Sequence, residues 1–358
     1  MNSTESHSGF TGERIIRKEP CRICGSVEGK KIAETEFWNL QHSDIVECTS
    51  CRLIQLDPMI TEANTATGCH AYFLREIHEI PVHEQKRNLV RNYRRGIVFG
   101  RSLQKKGVHP ENILEFGPGS GYFSAGIRFI FPGCRITVVD IVDEVLNRIH
   151  ENHGFEVFRG SPEDIHMLGN RKFDLVIARD ILEHVTDIGK VTRNIVTLLS
   201  PEGLFHFITP NGKEDVWGHY LNWKFRRRPS ELLLNHVNYF EGSGLLDFLL
   251  ASGFTNVEYY TYQVKYTFRG KGWRMKEKLA TPVSIGLNAE ELIRTEEQKK
   301  PADAFRKDEI LDSFIFRTKN TRIISRYCWL KHHWLIRLDP ARNTGHEIHG
   351  LFKMGVRF

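Results

Sequence analysis

The sequence predicts an α/β fold built on a doubly wound, largely parallel sheet. Apolar strands and amphipathic helices alternate through the middle of the chain. The first of these strands ends in a turn with glycine at every second position, Gly117, Gly119 and Gly121, which lets backbone N–H groups approach a ligand. Asp140 ends the second strand, where a carboxylate can accept hydrogen bonds from both hydroxyls of a ribose. Together these features predict a nucleoside-cofactor site at the carboxyl edge of the sheet.

The individual elements follow from hydrophobic periodicity and turn residues. Strands are predicted at 113–116, 135–139, 155–158, 173–178 and 203–208, with helices at 122–130, 143–152, 163–168 and 187–199. A helix at 242–252, strand propensity over 254–266, a charged insertion at about 268–308 and a last short strand at 312–318 complete the pattern.

The boundaries divide the 358 residues into five parts. They are a flexible tail (1–19), a small cysteine module (20–60), a helical lid or linker (61–107), the cofactor-binding domain (108–319) and a basic, aromatic extension (320–358). The extension could close over a pocket, pack on the core or mediate dimerisation, and the sequence does not decide among these roles or the oligomeric state.

The charge distribution and the lack of long apolar runs limit the ligands and the location that we expect. The net charge of +6 is concentrated in residues 83–106 and 320–358, which carry net charges of +7 and +5. Such faces suit anionic small molecules, acidic polysaccharide, RNA or a lipid surface, although solvated helix faces explain them equally well. Because the first twenty residues are polar and no apolar run reaches about 18 residues, we expect a cytoplasmic protein without a transmembrane segment.

Two Cys-x-x-Cys pairs organise the N-terminal module. Cys21, Cys24, Cys48 and Cys51 can supply four thiolates from two turns, which predicts a closed, structural zinc site. Four unrelated buried cysteines and a redox motif are the alternatives. The remaining cysteines stand alone and are expected to be inert.

The glycine spacing indicates which cofactor binds. The pattern is Gly-x-Gly-x-Gly rather than the dinucleotide Gly-x-Gly-x-x-Gly, and Glu115 precedes it. A carboxylate suits a cationic ligand better than a pyrophosphate. The chain resembles the class I S-adenosylmethionine-dependent methyltransferases, which implies a Rossmann-like seven-stranded sheet with an antiparallel last pair. A tight turn without a ligand is the alternative.

The cysteine module, joined to this core, indicates a smaller group within these methyltransferases. The combination is similar to the zinc-module methyltransferases of sugar and natural-product pathways, whose best-known members methylate carbon atoms of nucleotide-linked ketosugars. This resemblance implies S-adenosylmethionine and structural zinc as cofactors.

Other positions match motifs of the methyltransferases. The resemblance places Ser161 and Glu163 near the adenine, and Arg179 and Asp180, at the carboxyl edge of the fourth strand, near the methionine end. The run Leu-Glu-His-Val at 182–185 is expected to order the following helix rather than to perform chemistry.

The candidate catalytic residues are His236, as a base, and Tyr239. The sugar C-methyltransferases carry Tyr-His-Glu-His-x-x-Tyr-Phe here, but Leu233 and Asn235 replace their first tyrosine and their glutamate. Methylation of oxygen or nitrogen therefore stays open. A structural histidine that caps an element is the alternative for His236.

We therefore expect an enzyme that methylates a small molecule, such as a sugar, a sugar nucleotide or a natural-product or polysaccharide intermediate; the basic stretches are compatible with an anionic acceptor. Methylation of RNA or protein, and cofactor binding without catalysis, are the alternatives. Nucleic acid is the less expected partner, because the sequence pI of 8.9 is mild and no RNA-binding module is recognisable.

Overall fold

The computed structural model describes residues 12–37, 40–79, 82–212, 215–216, 236–264, 290, 294, 335–338 and 347–355. The predicted insertion at 268–308 and the predicted strand at 312–318 therefore lie almost wholly outside the described residues, which include only residues 290 and 294 of the insertion.

The N-terminal part of the chain folds as a small antiparallel sheet. Its strands are β1 (Glu13–Ile16), β2 (Glu28–Phe37), β3 (Gln41–Cys48) and β4 (Ile54–Asp57), joined in that order. The prediction of a flexible tail over 1–19 is wrong for residues 13–16, because β1 pairs with β2.

Two helices follow. They are α1 (Glu62–Glu79) and α2 (Val82–Lys105). The αβ alternation then begins with β5 (Asn112–Phe116), α3 (Tyr122–Ile130), β6 (Arg135–Asp140), α4 (Asp143–His153), β7 (Glu156–Arg159), β8 (Phe173–Arg179), α5 (Ile188–Leu198) and β9 (Leu199–Pro210). The helix predicted at 163–168 is wrong except for a single 3-10 turn, His166–Leu168, because Ser161 and Asp164 form a β-bridge instead.

The last described elements complete both sheets. They are β10 (Asn238–Tyr239), α6 (Gly242–Ala251), β11 (Phe254–Val264), β12 (Leu335–Leu338) and β13 (Glu347–Met354). Strand β10 pairs with β4, so the N-terminal sheet takes its fifth strand from the middle of the chain.

The large sheet confirms the predicted doubly wound fold. Among the described residues it has eight strands, in the order β12-β11-β13-β9-β8-β5-β6-β7. The five strands from β9 to β7 are parallel, and β13 is antiparallel to both of its neighbours, as the resemblance implied. The strand order reverses between β5 and β8, which places the ligand crevice at their carboxyl ends.

Strand β13 corrects the predicted C-terminal boundary. The sequence assigns residues 347–354 to an extension separate from the cofactor-binding domain, but they form a strand of the large sheet, between β9 and β11. Ile348 and Phe352 of this strand are fully buried, so the strand belongs to the hydrophobic core.

Helices cover both faces of the sheet. Helices α2, α3 and α4 pack on one face, and α5, α6 and the cysteine module pack on the other. Helix α2 contacts α3 closely at two glycines, since a Cβ on Gly96 would lie 1.9 Å from the carbonyl oxygen of Phe123 and one on Gly126 would lie 2.2 Å from that of Tyr93. None of the described helices has the length and hydrophobicity that a bilayer span requires, and the cytoplasmic location stays a prediction.

Candidate active site

A cavity of about 960 Å³ opens at the reversal of strand order. Its floor is formed by the carboxyl ends of β5, β6 and β8, and helices α1 and α2 cover it. One side of α1 lines the cavity, because Thr65, Cys69 and Tyr72 are spaced so that they share one face of the helix. Polar residues of α2, including Asn88 and Asn92, line it too. The volume is at the upper end of ligand sites and is large enough for a cofactor and a second molecule.

The glycine turn lies at the cavity floor in a conformation that favours glycine. Gly117, Gly119 and Gly121 have φ values of 57°, 54° and 74°. A Cβ on Gly117 would lie 2.0 Å from Cδ1 of Ile181, whereas one on Gly119 would meet no atom within 4 Å. Gly117 and Gly119 line the cavity, and Gly121 caps the N-terminus of α3 behind it. The turn therefore presents backbone rather than side chains to a ligand.

Glu115 is a buried carboxyl group at the cavity floor. Its Oε2 accepts a hydrogen bond from Oγ of Ser124 at 2.5 Å, and its side chain is 1% exposed. Burial raises the pKa of Glu115 to about 7, while Arg179 and Ser124 act in the opposite direction. A cationic ligand would favour the ionised carboxylate.

Asp140 ends β6 beside the glycine turn. The backbone N–H of Val142 donates to its Oδ1 at 2.9 Å. Burial raises the pKa of Asp140 to about 6, and the two neighbouring backbone N–H groups lower it. The carboxylate is thus fixed in orientation at the wall of the cavity.

Ser161 and Glu163 lie in the loop after β7, at one end of the cavity. Oε1 of Glu163 accepts a hydrogen bond from the backbone N–H of Thr186 at 2.8 Å, and burial raises its pKa. Glu163 therefore joins this loop to the chain that leads into α5. The Glu163 side chain that lines the cavity is therefore held in place by this hydrogen bond.

Arg179 and Asp180 end β8 on the opposite side of the glycine turn. The guanidinium of Arg179 lies 3.9 Å above the ring of Phe123, and burial lowers its pKa. Asp180 has a left-handed φ of 55°, and its backbone N–H donates to Ile208. The structure thus places Glu115, Asp140, Ser161, Glu163, Arg179 and Asp180 around one cavity.

The two catalytic candidates occupy different positions. His236 lines the cavity, whereas Tyr239 is buried behind it, 1% exposed, with a hydroxyl that has no hydrogen-bond partner among the described residues. Pairing of β10 with β4 holds Tyr239 in the interior. The structure therefore does not bring Tyr239 to the cavity wall.

Sequence reasoning missed the partner of His236. Nδ1 of this histidine lies 2.6 Å from Oδ2 of Asp215, and both side chains are largely buried. Burial lowers the pKa of His236, but Asp215, Glu183 and Asp180 raise it more, to about 9. No local motif marks Asp215, which is 21 residues away in the chain.

The four module cysteines converge outside the cavity. One sulfur from each lies within 4.8 Å of the others, and the Cys21–Cys51 and Cys24–Cys48 sulfur pairs are both 3.5 Å apart. A tetrahedral zinc with Zn–S distances of about 2.3 Å would separate its sulfurs by about 3.8 Å. The sulfur cluster therefore fits a tetrahedral metal and is too open for disulfides.

The two cysteine turns share one backbone geometry. The N–H of Gly25 donates to the carbonyl of Cys21, and the N–H of Arg52 donates to the carbonyl of Cys48. Both donors have positive φ, 73° at Gly25 and 64° at Arg52. Only the first of these positions carries the glycine that such a turn favours.

Comparison with known proteins agrees with this geometry. Residues 83–259 match the family model described as a methyltransferase domain. The match covers just under half of the 358-residue chain. The match begins in α2 and ends in β11, so it includes the cavity floor, and α1 and the cysteine module precede it.

Curated proteins that are similar to this chain include methyltransferases with different acceptors in their names. The human thiol S-methyltransferase TMT1A is 26% identical over 117 residues, which cover 30% of this chain and 47% of that protein. A malonyl-[acyl-carrier protein] O-methyltransferase of Chlorobium luteolum is 33% identical over 107 residues, covering 28% of this chain and 40% of that protein. The chain thus spans less than half the length of these curated relatives.

Solved structures that resemble the chain are more distant. The plantazolicin methyltransferase BamL, in complex with a triazolic desmethylPZN analog and SAH, is 12% identical, with 82% of this chain and 98% of that chain covered and a TM-score of 0.45. The YcgJ protein of Bacillus subtilis is 16% identical, with 72% and 99% covered and a TM-score of 0.39.

Proposed function

We propose that this protein transfers a methyl group from S-adenosylmethionine to a small-molecule acceptor. The carrying observation is that the glycine turn, Glu115 and Asp140 surround one cavity at the reversal of strand order. Asp140 is assigned to the ribose hydroxyls, because it lies at the end of the strand next to the turn. Glu115 and Asp180 supply negative charge for a ligand that carries a sulfonium and an ammonium.

The residues around the cavity support methyl transfer by alignment. S-Adenosylmethionine, when bound, supplies the electrophilic methyl group, and displacement at that carbon requires an in-line acceptor and a site that excludes water. The glycine turn and the fixed carboxylate of Asp140 would hold the cofactor, and residues of α1 and α2 line the same cavity. Positioning of this kind provides much of the acceleration in such displacements.

The covered cavity favours a small acceptor over a polymer. Residues of α1 and α2 line the same cavity as Asp180 and His236. Within this class we propose a sugar, sugar-nucleotide or natural-product intermediate, which the resemblance of the cysteine module supports. We propose that His236 lies beside the acceptor. The identity of the acceptor determines which atom is methylated.

We further propose that Cys21, Cys24, Cys48 and Cys51 hold a structural zinc ion. Four sulfurs leave no open position, so the metal would stabilise the module rather than react. The module packs directly on the methyltransferase domain, since a Cβ on Gly244 of α6 would lie 2.4 Å from the carbonyl oxygen of Cys51.

The test of the activity is transfer of a labelled methyl group from S-adenosylmethionine into a fractionated cell extract. We expect label in the small-molecule fraction with the wild-type protein, much less with Asp140→Asn, and a wild-type amount with Asp143→Asn. Asp143 is a matched control, because it pairs with Arg159 at the exposed start of α4. Label confined to RNA or protein, or equal labelling by both variants, would refute the proposal.

A further inference from the structure

A second group of potential metal ligands lies in the wall of the cavity. Glu183, His184 and His236 each contribute one ligand-type atom, and these three atoms lie within 4.8 Å of one another. All three residues line the cavity that the proposed cofactor and acceptor would share. They lie outside the cysteine module and outside the glycine turn.

The backbone holds this group together across a long stretch of sequence. The N–H groups of Val237 and Asn238 donate to the carbonyl oxygen of Glu183 at 2.8 and 3.1 Å. The side-chain amide of Asn238 donates to the carbonyl of Val185 at 2.6 Å. The segment at 236–238 is therefore fixed against the segment at 182–185, and the three side chains need no rearrangement to meet.

One carboxylate oxygen at this place is left without a partner. Oε2 of Glu183 accepts a hydrogen bond from Oγ1 of Thr209 at 2.9 Å, whereas Oε1 has no hydrogen-bond partner among the described residues. The Glu183 side chain is 1% exposed. Because a buried carboxylate oxygen is costly to leave unpaired, this atom indicates a missing cation or donor.

A second carboxylate orients the histidine. Asp215 lies 2.6 Å from Nδ1 of His236, so a metal bound by this ring would be held through Nε2. Histidines that bind metals usually donate their other ring N–H to a carboxylate or carbonyl, which fixes the ring and increases its basicity. Asp180 adds negative charge nearby, which further favours a cation.

We propose that Glu183, His184 and His236 bind a divalent transition-metal ion beside the acceptor. Two imidazoles and one carboxylate suit manganese, iron, cobalt, nickel or zinc better than magnesium or calcium, which prefer oxygen ligands. Three protein ligands leave positions open for water or an oxygen atom of the acceptor. A metal there would lower the pKa of an acceptor hydroxyl without a protein base.

The inference concerns binding and is independent of the proposed methylation. Mn²⁺ is the probe, because its preference for nitrogen and oxygen ligands leaves the four-sulfur site to zinc. The full-length protein, with zinc content measured, is titrated with Mn²⁺ and the free ion is followed by electron paramagnetic resonance. We expect saturable binding of one ion per chain.

Variants separate this site from adventitious binding. Glu183→Gln and His184→Gln should each weaken Mn²⁺ binding at least 10-fold, and Asp215→Asn should weaken it by about 10- to 100-fold. Asp164→Asn is the control: Asp164 also bonds a histidine, His166, but on the exposed surface. Unchanged zinc content and unchanged binding of S-adenosylhomocysteine show that a variant is folded.

The result that would overturn the inference is equally specific. The proposed metal site is refuted if the wild-type protein binds no Mn²⁺ at millimolar concentration. It is also refuted if the folded variants Glu183→Gln and His184→Gln bind Mn²⁺ as tightly as the wild type. Methyl transfer that persists in metal-free protein would leave the proposed function standing and would remove the metal from the reaction.

Discussion

Asp140→Asn should have opposite effects on cofactor binding and on stability. In the absence of ligand the carboxylate is unfavourably buried, and its pKa rises from the ordinary 3.8 to about 6. That shift corresponds to about 3 kcal/mol against the ionised folded state. Asparagine keeps an oxygen for the N–H of Val142, which donates at 2.9 Å, and removes the charge. We expect the ligand-free variant to be more stable than wild type by about 1–3 kcal/mol at pH 8.

The same substitution should weaken binding of S-adenosylmethionine. Hydrogen bonds to a charged group contribute about 1.5–3 kcal/mol, so the loss should be roughly 10- to 100-fold in Kd. Calorimetric titration measures the affinity, and urea unfolding without ligand measures the stability. The stability difference should shrink as the pH falls from 6 towards 4, because wild-type Asp140 then becomes protonated. Unchanged affinity, or a destabilised variant, would contradict the reasoning.

Three further predictions concern charge, metal and packing. Affinity for S-adenosylmethionine should rise as the pH increases through about 7, because burial holds the pKa of Glu115 there and the cation binds its ionised form; a flat calorimetric profile between pH 5.5 and 8 would argue against this role. Cys24→Ser should abolish zinc binding, measured by elemental analysis, and lower the melting temperature, whereas Cys69→Ser should retain zinc. Because Cys24 is exposed, a lower melting temperature of Cys24→Ser cannot come from lost core packing. Gly96→Ala should cost about 2 kcal/mol or more in urea unfolding, since its Cβ would lie 1.9 Å from a backbone oxygen, while Gly133→Ala, with no atom within 4 Å, should change stability by less than about 0.5 kcal/mol.

Features encoded over short stretches could be predicted from the sequence. The strand that precedes Gly117 and the acid at Asp140 are local patterns, and the structure places both at one cavity. The cysteine pairs are local as well, and their turns bring four sulfurs together. In each case a few neighbouring residues determine the backbone conformation.

Features that depend on distant contacts could not be predicted. Strand β13 is buried on both faces over residues 348–352, so it lacks the alternation that marks a half-exposed strand. Strand β10 is only two residues long, and among the described residues it is a strand through its pairing with β4. The Asp215–His236 pair joins side chains in segments without a shared motif. Burial and pairing across the fold decide these features.

The position of β13 has a consequence for how the protein folds during synthesis. This strand lies inside the large sheet, between β9 and β11, yet its residues, Glu347–Met354, come after both of these strands in the sequence. Until it leaves the ribosome, β9 and β11 have no shared neighbour and each presents an unpaired edge, which favours aggregation. Closing a sheet across such a sequence separation is slow. The nascent chain therefore completes its large sheet only after β13 has been synthesised, and loss of residues 347–354 would leave this sheet split in two.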